Sequence, residues 1–310
     1  MGQYSQLDYW RLALSLKLRE SVGDAFQDFF SNVMAKVHGD KFVRVKPMGS
    51  LGDKGCDGYL MSGEVFQCYG ALNGGKTLSV SYLVSKMETD YKKASEKLGA
   101  LMKSWTFVNN LVDGVPIEAI QKLDELAAAN KHHKFAFLGK EGIESAIFGL
   151  KDSEIEGLLG IAATAQDQLN LKLPELQALI ANVAAQTETA GISSGPIGPV
   201  PVDKLELNKL PAFWCILIQA GWQNQHLVDE YLRRHPVATT GETIAQVFRA
   251  KYKSLKIQKL TPGDIMSDLY LFVTGPGAVD AKRQVAAQAL LAYLFESCDI
   301  FEDRSEAVSS

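Results

Sequence analysis

The chain has 310 residues, 46% hydrophobic and 22% charged, with a formal net charge of −4. That length suggests two domains, each with its own core, and the composition excludes a disordered polyelectrolyte and an integral membrane protein. The densest apolar stretch, residues 210–220, contains Pro211 and Gln219 and is shorter than the ~20 residues needed to cross a bilayer.

The net charge averages over a pattern. Residues 30–110 carry 11 Lys/Arg against 7 Asp/Glu, residues 111–200 carry 6 against 12, and residues 201–310 carry 12 against 13. A polyanion would find the first third most favourable. The opening MGQYSQLDYW shows no basic n-region and no apolar h-region, so no signal peptide is expected. Cys56, Cys68, Cys215 and Cys298 form no CxxC and stand at no metal spacing from a histidine, which points to a reduced, cytoplasmic compartment. Cys215, inside PAFWCILI, reads as a core residue.

Residues 8–37 read as one or two amphipathic helices, with Phe26, Phe29, Phe30, Val33, Met34 and Val37 recurring at spacings of three and four. Strands are expected at 42–45, 58–61 and 64–69, the last two joined by a Ser62-Gly63 hairpin turn. A helix over 79–103, a strand at 105–108, a helix over 117–130 and a strand at 134–138 follow, then helices at 141–149 and 152–163. This order predicts a mixed α/β sheet flanked by helices. Residues 164–184 read as helical, and TETAGISSGPIGPVP (187–201) as a linker. Residues 203–300 read as four or five helices, with starts at Asp203 and Thr261-Pro262, interruptions at Gly221 and Gly241, and a sharp turn at Gly275-Pro276-Gly277.

The chemistry concentrates in GSLGDKGCDGYL (49–60), followed by VFQCYG (65–70). Asp53 and Asp57 stand four residues apart at a turn that leads into a strand. Gln67 and Tyr69 share one face of the neighbouring strand, so Asp57, Gln67 and Tyr69 are expected to converge at a hairpin edge. A carboxylate and an amide oxygen are hard donors suited to Mg²⁺, which there would stabilise charge on a phosphodiester. Gly-Asp and Asp-Gly pairs are also ordinary turn chemistry.

Two further strings invite a reading. Gly70 through Gly75-Lys76-Thr77 fits GxxxxGK[ST] literally, after a strand and before a helix. Against a nucleotide-hydrolysing P-loop, the incoming strand is expected to be hairpin-paired, and no downstream strand ends in a Walker B acid. His132-His133 reads as a solvated loop, and Phe213, Trp214, Trp222 and Tyr231 as helical core.

Gly49, Gly52, Asp53, Gly55, Asp57, Gly58 and Gln67 together resemble the Mrr-like branch of the restriction-endonuclease (PD-(D/E)xK) superfamily over roughly residues 10–160. The resemblance implies Asp57 and Gln67 as Mg²⁺ ligands and Asp53 as an outer carboxylate. It places Tyr69 where the family carries lysine, with Lys54 or Lys76 as replacement cations contacting phosphate. The helical acid of that branch is replaced by Gln27, beside Asp28. Residues 204–272, in which Asn208, Asp229, Tyr231, Arg249 and Tyr252 accompany the core positions, are similar to the small helical C-terminal domains of bacterial three-component ABC-ATPase systems, including Lamassu-type antiphage defence. That resemblance implies docking on a partner or self-association.

The expectation is therefore a restriction-endonuclease-like α/β domain over 1–165, a helix and linker over 166–202, an all-α assembly domain over 203–304 and a tail over 305–310. Its function would be Mg²⁺-dependent cleavage of DNA inside a defence complex with an SMC-like or ABC-type ATPase and a further small subunit. The alternative is a DNA-binding or assembly adaptor without cleavage.

Overall fold

A computed structural model describes residues 5–45, 55–72, 78–185, 204–275, 277, 279–297 and 300–301. The expected linker at 187–201, the helix start at Asp203 and Cys298 lie outside the described residues, as does most of the GxxxxGK[ST] string. Chain packing divides into two units, residues 13–159 and residues 1–12 with 160–310.

In the first unit, α1 (Gln6–Glu20, whose opening residues go with the second unit) and α2 (Asp24–His38) precede β1 (Phe42–Arg44), β2 (Gly58–Leu60) and β3 (Glu64–Tyr69). Next come α3 (Val80–Leu98), β4 (Ser104–Asn109), α4 (Ile117–Ala129), β5 (Lys134–Leu138), α5 (Lys140–Phe148) and α6 (Asp152–Leu159). The sheet runs β1-β2-β3-β4-β5, antiparallel through the first three strands and parallel from β3 to β5. This is the mixed sheet with flanking helices that the element order implies. A three-residue turn joins β2 to β3, whereas α3 and α4 supply the crossovers that parallel pairing demands.

Glycine conformation sets several boundaries. Of the one or two helices expected over 8–37 there are two, parted by Gly23 at φ +55°. The helix from 80 stops at Leu98, five residues early, where Gly99 turns to φ +51°. The helix expected through 163 stops at Leu159, before Gly160 at φ +89°. Left-handed backbone of this kind is cheap only for glycine.

The sheet buries two faces. On one, Phe30 of α2 lies 5.4 Å from Phe66 and 6.5 Å from Phe42, ring centre to ring centre. On the other, Leu83, Met87, Tyr91 and Ala94 of α3 cover Val65, Trp105 and Phe107. Period-2 alternation therefore assigns Glu64, Phe66 and Cys68 to the α2 side, and Val65, Gln67 and Tyr69 to the α3 side.

The second unit is helical. It holds α7 (Ala165–Leu169), α8 (Leu173–Ala185), a one-turn α9 (Lys204–Leu207), α10 (Ala212–Trp222), α11 (Gln225–Arg234), α12 (Thr240–Ile257), α13 (Pro262–Thr274) and α14 (Ala281–Glu296). Thr164 caps α7 in a reciprocal capping box with Asp167, and Thr261 caps α13 ahead of Pro262, as the sequence pattern implies. Gly221 and Gly241, expected as interruptions, lie one residue inside the end of α10 and the start of α12. Gly221 lies within α10, where a Cβ would collide with the Gln288 carbonyl, so it allows α10 to press against α14. α14 is buried nearly all round, from Val285 to Phe295. Residues 166–185, read from sequence as part of a connector, contribute Leu176, Leu179, Ile180 and Val183 to this core. Trp214 is fully buried, whereas Cys215, expected in the core, is half-buried.

Candidate functional site

The approach to β2 is shaped by two close contacts. Gly55, at φ +76°, lies where any Cβ would strike the Asp90 carbonyl of α3. Gly58 lies where a Cβ would come within 2.7 Å of the Phe42 ring. The glycines of the GCDG string are thus required by packing, and they seat the intervening Asp57 beside β3.

Asp57 is 3% exposed. Its backbone N–H donates to the Phe66 carbonyl (2.8 Å), and its own carbonyl accepts from Val45 N–H (3.1 Å). Its carboxylate Oδ2 accepts the backbone N–H of Cys68 at 2.6 Å. Gln67 is 1% exposed, and its Nε2 donates to the Cys68 carbonyl at 3.5 Å. A strand residue presents its N–H and C=O to the same side. Asp57 and Gln67 therefore gather at one edge of Cys68, on the β2 side of β3. Gln67 Oε1 is buried without a hydrogen-bond partner among the described residues. Buried amide oxygens in native proteins nearly always have one, and leaving one unsatisfied costs about 1–3 kcal/mol.

Tyr69 lies two residues further along the same face. Its ring stacks on Phe107 at 6.0 Å and 25°, and lies 6.5 Å from that of Tyr82 on α3. Burial, reinforced by Tyr82, raises the phenol's pKa above its ordinary value, against the opposing pull of the Lys86 ammonium. Tyr69 is thus a neutral hydroxyl near pH 7, able to donate to an anion but not to act as a cation.

Asp53, Lys54 and Lys76 lie outside the described residues. Of the expected set, the described structure brings Asp57, Gln67 and Tyr69 to one end of the hairpin. Asp28 does not join them; it pairs with Arg44 of β1. Sequence reading missed three neighbours. Asn109 ends β4 in register with Tyr69, 1% exposed, with Nδ2 unsatisfied. Lys86 of α3 pairs with the buried Asp90 at 2.7 Å. Asn110, fully buried, donates through Nδ2 to the carbonyls of Leu18 (2.9 Å), Ser21 (2.7 Å) and Ala71 (2.8 Å) and accepts Ala71 N–H (2.7 Å), fixing the chain as it leaves β3. The available signal for Lys86 was Asp90, an acid one turn beyond Met87 and two beyond Leu83 in an apolar stripe. His133, expected in solvent, is also buried and meets Tyr91 Oη through Nδ1 at 2.9 Å.

A divalent cation can be tested against this donor set. Asp57 supplies a carboxylate and Gln67 an amide oxygen that lacks a partner. Among the described residues, no group of three or more His, Cys, Asp or Glu side chains assembles. Two hard oxygen donors fit Mg²⁺, which keeps several waters and needs few protein ligands, and not a metal that demands a full protein cage.

Residues 174–302 match the family model described as C-terminal domain 10 of the ABC-three component (ABC-3C) systems. The match lies within the helical unit. No curated protein and no solved structure matches the chain. None of the described helices is long and apolar enough to cross a membrane.

Proposed function

We propose that the chain is a subunit of a bacterial ABC-three component defence system whose N-terminal unit cleaves DNA at the Asp57–Gln67 site. The match over residues 174–302 supports the assembly half of this reading and implies an ABC-type ATPase among its partners. The chemical half is carried by one observation: Gln67 Oε1 is buried and unsatisfied at the same strand edge as the Asp57 carboxylate.

Mg²⁺ bound there would supply electrostatic stabilisation for charge developing on a phosphodiester. Cys68 N–H holds the Asp57 carboxylate in place, and the Cys68 carbonyl orients the Gln67 amide so that its oxygen is the atom left to bind. The Tyr69 hydroxyl donates a hydrogen bond to a phosphate oxygen. The basic first third of the chain favours a polyanion, while the overall charge of −4 favours DNA binding with the help of partner subunits.

A second reading, a DNA-binding or assembly adaptor, is favoured by Tyr69, a neutral side chain at the strand position where cleavage calls for a cation. One experiment separates the two. The full chain is co-expressed with its ABC ATPase, and the complex is assayed for Mg²⁺-dependent cleavage of linear DNA. Asp57→Ala is expected to lower cleavage at least ~100-fold, the scale of losing a main electrostatic contributor, without loss of the ATPase from the complex. An unchanged rate in that variant rejects the cleavage reading and leaves the adaptor.

A further inference from the structure

Helix α3 crosses the candidate site, and its path is fixed at two points. At one end Tyr82 meets Tyr69, with ring centres 6.5 Å apart. At the other the Asp90 carbonyl lies against Gly55, two residues before Asp57. Lys86 stands one turn after Tyr82 and one turn before Asp90. It therefore projects from the stretch of helix between Tyr69 and the approach to Asp57. Lys86 is anchored: Nζ lies 2.7 Å from Asp90 Oδ2, and its side chain is 26% exposed against 6% for Asp90. Lys93 approaches the other Asp90 oxygen at 3.7 Å from a more exposed position. An ammonium carries three N–H donors, so Lys86 can hold Asp90 and a phosphate oxygen together.

We propose that Lys86 is the phosphate-binding cation of the Asp57–Gln67 site, positioned by Asp90 and supplied by the helix rather than by the strand. The assignment rests on the cleavage reading above and deepens it by naming the group that receives the DNA backbone. A cation positioned near the reacting phosphate costs no reorganisation when charge develops, which is where such groups act most strongly. It would also account for a tyrosine at position 69, since the charge arrives from the facing helix.

The test is DNA binding in Ca²⁺ by the full chain in complex with its ABC ATPase, read by anisotropy of a fluorescein-labelled linear duplex across a salt series. Losing one phosphate contact lowers the slope of log K against log salt by about 0.9 and weakens binding roughly tenfold at moderate salt. Lys86→Met is expected to show both changes, and Lys86→Arg to keep the wild-type slope. A merely structural role would not move the slope, and thermal unfolding of each variant reports the fold. Should Lys86→Met fail to fold, Lys86→Gln replaces it. The proposal is overturned if the charge-removing variant binds with the wild-type slope, or if the wild-type complex does not bind the duplex. Failure of the two ideas is distinguishable. If Asp57→Ala abolishes cleavage in the ATPase complex while Lys86→Met matches wild type, Lys86 alone is wrong. If Lys86→Met changes the slope and Asp57→Ala leaves cleavage intact, Lys86 stands as a DNA contact and the cleavage reading falls.

Discussion

At the scale of single residues, the candidate site depends on groups that hold the backbone as much as on the groups offered to a ligand. Asn110 is the clearest of these. Its amide joins the end of α1, the turn before α2 and the exit from β3 through four hydrogen bonds, all in the interior. Asn110→Ala removes all four of these hydrogen bonds from the interior, at about 1–3 kcal/mol for each group it leaves unsatisfied. Chemical denaturation should show a loss of at least ~2 kcal/mol in stability, with any effect on activity following from the fold. Asp57 and Gln67 were legible in the sequence because their spacing around a hairpin is a local property. Asn110, Asn109 and Lys86 were not, because each is brought to the site by parallel pairing or helix packing over long sequence separation. Nothing in the string WTFVNN marks its final asparagines as anything but the end of a strand.

At the scale of elements, the core strands and most helices follow from periodicity and capping residues, and the misplaced boundaries fall at glycines with positive φ. Gly99 and Gly160 end helices that apolar periodicity alone would have continued. The histidine pair shows the complementary failure. KHHK reads as solvated, yet the turn after α4 tucks His133 under Tyr91, 42 residues away in sequence. Burial and the adjacent His132 push the His133 pKa below its ordinary 6.5, opposed by a hydrogen bond that the ring donates to the Met102 backbone. A lowered folded pKa means that the unfolded state binds more protons between that pKa and 6.5. His133 therefore contributes stability that is fully present above about pH 6.5 and declines as pH falls toward the folded pKa. His133→Asn should flatten this part of the pH dependence of Tm relative to the wild-type chain. Parallel curves for the two proteins would show that the ring is not buried in its neutral form.

At the scale of the whole molecule, the helical unit recruits the first residues of the chain. Trp10 is 1% exposed, and its indole N–H donates to the Gly160 carbonyl at 3.0 Å within that unit. Gln6 makes a similar bond to the Ala162 carbonyl at 3.3 Å. Composition and the proline-glycine stretch at 187–201 point to a division, but no local pattern announces that residues 1–12 go with the C-terminal part, since α1 reads as one uninterrupted helix. Trp10→Ala is expected to destabilise the helical unit by about 3–5 kcal/mol, measured by calorimetry, with Trp10→Phe costing less. The helical unit carries the ABC-three component match, so its integrity is also what the proposed assembly with an ATPase requires.

The claim on which the functional account turns is that Asp57 and Gln67 together hold a divalent cation. Titration of Mn²⁺ into the full chain, followed by calorimetry and by the paramagnetic signal of free Mn²⁺, tests it without relying on any trigger for DNA cleavage. The account predicts saturable binding by the wild-type chain that is lost in Asp57→Ala and weakened at least tenfold, about 1.4 kcal/mol, in Gln67→Leu, with each variant folded by circular dichroism. Mn²⁺ binding that is the same in all three proteins would contradict it.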